Sequence, residues 1–141
     1  MPRANSNFHL VMNSNITINQ LRARGDGAEG RAYRLAFVNK LKEAAEYIRD
    51  NIVDYCKDYS ETPKLINHNM NIEIGKARGF LHLDGMLRFD CYTKLDFKKI
   101  TTTYNEILKD FTLNCYINVR YIHDSIKYSQ EYSKKDNIQL I

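Results

Sequence analysis

The hydrophobic period of this chain switches repeatedly, and the switches mark out its elements. Phe8 to Met12 is a short apolar run fit for a strand. Residues 13–30, rich in Asn, Gly and Arg, predict a mobile basic loop in which Ile16 to Leu21 pair only briefly. From Ala32 to Tyr55 the period becomes helical. Val38, Leu41, Ala45, Ile48 and Ile52 recur at threes and fours and make one apolar stripe, with Lys40, Lys42, Glu43, Glu46, Arg49 and Asp50 on the other sides. Ser60-Glu61-Thr62-Pro63 then breaks the chain.

Leu65 to Ile74 and Phe80 to Cys91 read as two strands, joined by Gly75-Lys76-Ala77-Arg78-Gly79 in a hairpin. Asp96 to Asp110 carries a second helical stripe, of Ile100, Tyr104, Ile107, Leu108 and Phe111. Asn114 to Ile122 alternates around Cys115, Ile117, Val119 and Tyr121, as a strand does. Asp124 or Ser125 can cap a last helix running through Tyr132. Helices interleaved with strands in this order predict an α+β fold, an antiparallel sheet flanked by helices in a ferredoxin-like or RNA-recognition-like sandwich.

That pattern places chemistry on the second hairpin strand. If residues 80–89 are extended, His82 and Asp84 share one face while Leu81, Leu83, Leu87 and Phe89 take the other. One nitrogen and one oxygen ligand on a rigid element suit a small, hard divalent cation. Glu73, on the face of Asn69 and Asn71, would come toward them if the hairpin register allows. His9, His68 and His123 are rival ligands. Downstream, Tyr132 and Lys135 stand three apart, so on a helix a phenolic nucleophile lies beside a cation. Tyr128, one turn earlier on the same side, is a second candidate nucleophile, but Glu131 follows it at the third position where Tyr132 has Lys135.

Composition narrows the setting. A 141-residue chain of 16.6 kDa is large enough for one packed core, so residues 1–141 are expected to be a single domain. No apolar run approaches a membrane span, and the N-terminus lacks a signal-peptide pattern. An intracellular protein with no membrane association is therefore expected. Cys56, Cys91 and Cys115 are odd in number and widely spaced, which argues against a disulfide framework or structural zinc. The net charge of +4 suits a polyanionic partner, and the ten tyrosines include faces on which unpaired bases could stack. Arg22, Arg24, Lys76 and Arg78 are the candidate nucleic-acid contacts. There is no P-loop pattern.

The segment NIEIGKARGFLHLDGMLRF, residues 71–89, resembles the nuclease domain of rolling-circle replication initiators (Rep proteins) of circular single-stranded DNA viruses and plasmids, in the HUH endonuclease superfamily. Glu73, Gly75, Gly79, His82, Leu83, Asp84 and Gly85 fall on that family's pattern of acid, glycine turn, histidine, apolar residue, second ligand and glycine. Asp84 departs from it, since the family usually has Gln or His there. Glu131 to Lys135, EYSKK, is similar to the family's tyrosine motif, and Phe8 to Asn13 loosely to its first motif. The resemblance implies Mg²⁺ or Mn²⁺ held by Glu73, His82 and Asp84, with Tyr132 as nucleophile and Lys135 as its partner. It implies nicking and joining of single-stranded DNA, or of a DNA hairpin at a replication origin, through a 5′-phosphotyrosine. It also implies that the chain is the N-terminal domain of a longer initiator whose downstream domain would account for any oligomer. A source in a eukaryotic virus would place it in the host nucleus. The competing expectation is a non-catalytic module binding single-stranded nucleic acid, with Phe89, Tyr116 and Tyr121 as its stacking platform.

Overall fold

The structure is a computed structural model and describes residues 5–122. Its elements in chain order are β1 (Ser6–Thr17), α1 (Ile18–Arg22), α2 (Ala28–Asp50), β2 (Cys56–Lys57), β3 (Leu65–Ile74), β4 (Phe80–Phe89), β5 (Lys94–Leu95), α3 (Phe97–Leu108) and β6 (Ile117–Ile122). A 3₁₀ turn at Ile52–Tyr55 links α2 to β2. The long strands form one sheet in the order β3-β4-β1-β6, and every neighbouring pair is antiparallel. Cys56 and Lys57 pair with Leu95 and Lys94 in a separate two-stranded ladder.

Because β1 and β3 both run antiparallel to β4, they run parallel to each other with β4 between them. This is the split βαβ arrangement of ferredoxin-like folds, with α2 as the crossover. The α+β class expected from the sequence is the one observed.

Strand alternation decides which face meets the helices. Phe8, Leu10 and Met12 of β1 and Leu81, Leu83, Leu87 and Phe89 of β4 are buried in one cluster. Phe37, Leu41, Ala44 and Ile48 of α2 join it, as do Ile100, Tyr104 and Leu108 of α3. Packing the apolar side of each element into one core is what fixes the register, since a slip of one residue would turn His82 and Asp84 inward. Asp96 caps α3 by accepting from the Lys99 amide. Asn105 then ties α3 to the approach of β6. Its amide oxygen accepts from the Cys115 amide at 2.7 Å and its nitrogen donates to the Cys115 carbonyl at 3.1 Å.

The loop expected over residues 13–30 is corrected. β1 continues to Thr17 through a bulge in which Asn13 pairs with His82 and Thr17 with Phe80. Polar residues are accommodated there because they bond one another and the neighbouring backbone. The Ser14 hydroxyl donates to the Leu81 carbonyl at 2.6 Å, and the Asn13 side-chain oxygen accepts from the Asn15 amide. Asn15 takes φ of 59°, a left-handed conformation that asparagine tolerates better than most residues. Thr17 and Gln20 close a capping box on α1, and the turn after it is bound by Arg34, which donates to the Gly25 carbonyl at 2.7 Å. The backbone approaches so closely there that a Cβ on Gly30 would lie 2.3 Å from the Gly25 oxygen. Helix α2 accordingly starts at Ala28 and not Ala32.

Candidate metal centre

The site is assembled from the face of the sheet opposite the helices. Glu73 of β3 stands directly across from His82 of β4 in the hairpin register, and Asp84 follows two residues along the same face. The turn that sets this register is closed by the Gly75 amide donating to the Phe80 carbonyl and the Gly79 amide to the Gly75 carbonyl. Gly79 adopts φ of 71°, which most side chains would resist. Gly85 is small for a packing reason, since a Cβ there would meet Met70 Cγ at 2.7 Å and the Asn69 carbonyl oxygen at 3.1 Å.

Glu73, His82 and Asp84 each offer a ligand atom, and these atoms all lie within 4.8 Å of one another. His82 Nε2 and Glu73 Oε2 are 3.2 Å apart. Both side chains are largely shielded from solvent and Asp84 is buried. Two carboxylates and an imidazole held this closely concentrate negative potential where the dielectric is low. The donor set of one nitrogen and two carboxylate oxygens fits a divalent cation. The three residues expected to hold a metal are therefore brought together as a group that could do so.

Of the rival ligands, His68 is exposed and stands across from Leu87, apart from this cluster. His123 lies outside the described residues. His9 is the informative case. It is buried, and its Nε2 lies 2.7 Å from Asp84 Oδ1. On the other side of the ring, Arg120 Nη2 lies 2.7 Å from Nδ1. Sequence reasoning missed this contact, because it depends on the pairing of β4, β1 and β6 across more than a hundred residues of chain. Only the matching parity of His9 within β1 could have hinted at it.

The candidate nucleic-acid contacts lie near one end of the hairpin. Lys76 and Arg78 are exposed on the turn between Glu73 and His82. The Ile18 amide donates to the Gly79 carbonyl at 2.8 Å, which holds α1 and its exposed Arg22 beside that turn. Arg24 instead stacks on Tyr33, 3.8 Å from the ring centroid. Of the stacking residues of the competing expectation, Tyr116 and Tyr121 are exposed and Phe89 is not. Phe89 is 0% exposed and packs edge-on against Phe8 in the core. Tyr121 also packs against Phe8, whereas the Tyr116 hydroxyl accepts from the Asn13 side chain.

Cys56 and Cys115 are free thiols, and burial pushes their pKa values up. Neither is suited to nucleophilic chemistry. Among the described residues no helix is long and apolar enough to cross a membrane. Tyr128, Tyr132 and Lys135, the expected nucleophiles and their partner, lie outside the described residues. No protein-family model and no curated protein matches the chain.

Proposed function

We propose that this protein is a metal-dependent endonuclease that nicks and rejoins single-stranded DNA through a tyrosine, in the manner of replication initiators. The observation that carries the reading is the convergence of Glu73, His82 and Asp84 within 4.8 Å on one sheet face. The exposed Lys76 and Arg78 on the adjoining turn support it, as cations placed to receive a phosphate backbone.

In this reading Glu73, His82 and Asp84 would hold Mg²⁺ or Mn²⁺. The bound cation supplies polarisation of the phosphoryl group and offsets charge as it builds in the transition state. A phenol has a pKa of about 10 and is a poor nucleophile at neutral pH unless assisted. Lys135, three residues beyond Tyr132, stabilises the phenolate as its proton leaves. The Tyr132 oxygen bonds to phosphorus while the bond from phosphorus to the 3′ oxygen breaks, and that oxygen takes up a proton. The products are a 5′-phosphotyrosine and a free 3′-hydroxyl. Because the ester linkage is conserved, attack by a 3′-hydroxyl reverses the step and joins strands.

Nicking of a labelled single-stranded oligonucleotide in Mn²⁺ tests the proposal. His82→Ala should abolish cleavage with little change in thermal stability, since His82 lies off the core face. Cleavage by His82→Ala at the wild-type rate would overturn the metal-dependent reading.

A further inference from the structure

The contact between His9 and Asp84 has a direction that chemistry fixes. An arginine guanidinium carries only donors, so the His9 nitrogen facing Arg120 at 2.7 Å must be the acceptor. In the neutral ring the proton then resides on Nε2, and Nε2–H donates to Asp84 Oδ1 at 2.7 Å. The register makes this relay possible. Arg120 of β6 stands directly opposite His9 of β1, and His9 is the diagonal neighbour of Asp84, whose direct partner on β1 is Val11. The relay thus runs across the sheet from β6 through β1 to β4 and ends on one member of the Glu73–His82–Asp84 group.

We propose that His9 is a positioning residue for the divalent-cation site, holding the Asp84 carboxylate in the orientation that faces Glu73 and His82, with Arg120 fixing the His9 tautomer. The inference rests on the cation-site reading above and goes beyond it, because it assigns a function to two residues outside the ligand set. Two observations carry it. His9 is only 6% exposed and Asp84 only 5%, so the bond between them is shielded from water that would otherwise let the carboxylate rotate. Both His9 ring nitrogens are engaged, which fixes the plane of the ring as well as the site of its proton. Groups that orient a metal-binding carboxylate in this way contribute to affinity without touching the ion.

The test is Mn²⁺ affinity, followed by the loss of the free-ion electron paramagnetic resonance signal, alongside thermal unfolding without metal. His9→Leu keeps the volume but removes the donor to Asp84, and should weaken Mn²⁺ binding by roughly 10- to 100-fold. His9→Gln, whose amide offers N–H donors for Asp84 and an oxygen acceptor for Arg120, should restore most of the affinity. Arg120→Met alters an exposed residue, so the protein should remain folded, and it should weaken binding less than His9→Leu does. Rescue by glutamine separates positioning from bulk packing, which leucine preserves equally well. If His9→Leu unfolds, the Gln and Met variants carry the test. Wild-type Mn²⁺ binding that is unchanged in the Leu and Met variants, or in Met alone where Leu is unfolded, would overturn the relay and leave the cation site standing. Failure of the wild type to bind Mn²⁺ would remove the cation site, and the relay with it.

Discussion

At the scale of single residues, Asp84 carries two duties that can be separated. It accepts from His9 and it contributes to the anionic group with Glu73 and His82. Asp84→Asn retains an oxygen that can accept from His9, so the sheet should keep nearly its full stability while the site loses a negative charge. Mn²⁺ affinity should fall at least about tenfold, as titration calorimetry would register. An affinity equal to that of wild type would mean that Asp84 is not a ligand. The core of the candidate cation group was legible in the sequence, because period-two alternation in Phe80–Phe89 is enough to put His82 and Asp84 on one face. His9 was legible only as one histidine among rivals. Its meaning depends on which strands are neighbours, and alternation within a strand does not encode that.

At the scale of elements, the strands with clean alternation and the two apolar helical stripes were read correctly to within a few residues. The failure was β1 beyond Asn13. Asn13, Ser14 and Asn15 have the composition of a loop, yet they satisfy one another and the neighbouring backbone within a bulge, so the strand continues to Thr17. A second device invisible to periodicity is Asn105. It is a polar position on α3 that holds both backbone groups of Cys115 and so directs the chain into β6, the strand that carries Arg120. Asn105→Ala should destabilise the protein by about 1–3 kcal/mol, the cost of leaving such groups without their partners. Chemical denaturation would measure it. A loss well below 1 kcal/mol would show that the entry to β6 is held by other contacts.

At the scale of the whole molecule, the fold divides labour between two sheet faces. One is packed against α2 and α3 and provides stability, while the other carries the relay and the candidate cation site. The hairpin turn, with Lys76 and Arg78, and α1, with Arg22, lie together at one end, where they would meet a polyanion. In the proposed function the strand that is cut is unpaired, and separating a duplex costs about 1.4 kcal/mol per base-pair step. Single-stranded DNA should therefore be cut far faster than the same sequence in relaxed duplex, and binding should weaken steeply as salt rises. Side-by-side nicking of the two forms would decide it, and equal rates would count against the reading.

The most direct test of the central claim is a covalent-adduct assay. The protein is incubated with end-labelled single-stranded DNA and Mn²⁺, quenched in SDS, and examined for label that migrates with the protein. Wild-type protein should give an adduct that disappears with EDTA and in Tyr132→Phe, which keeps the ring and removes only the phenolic oxygen. An adduct that persists undiminished in Tyr132→Phe or in EDTA, or the absence of any adduct from wild-type protein that binds the DNA and Mn²⁺, would contradict it.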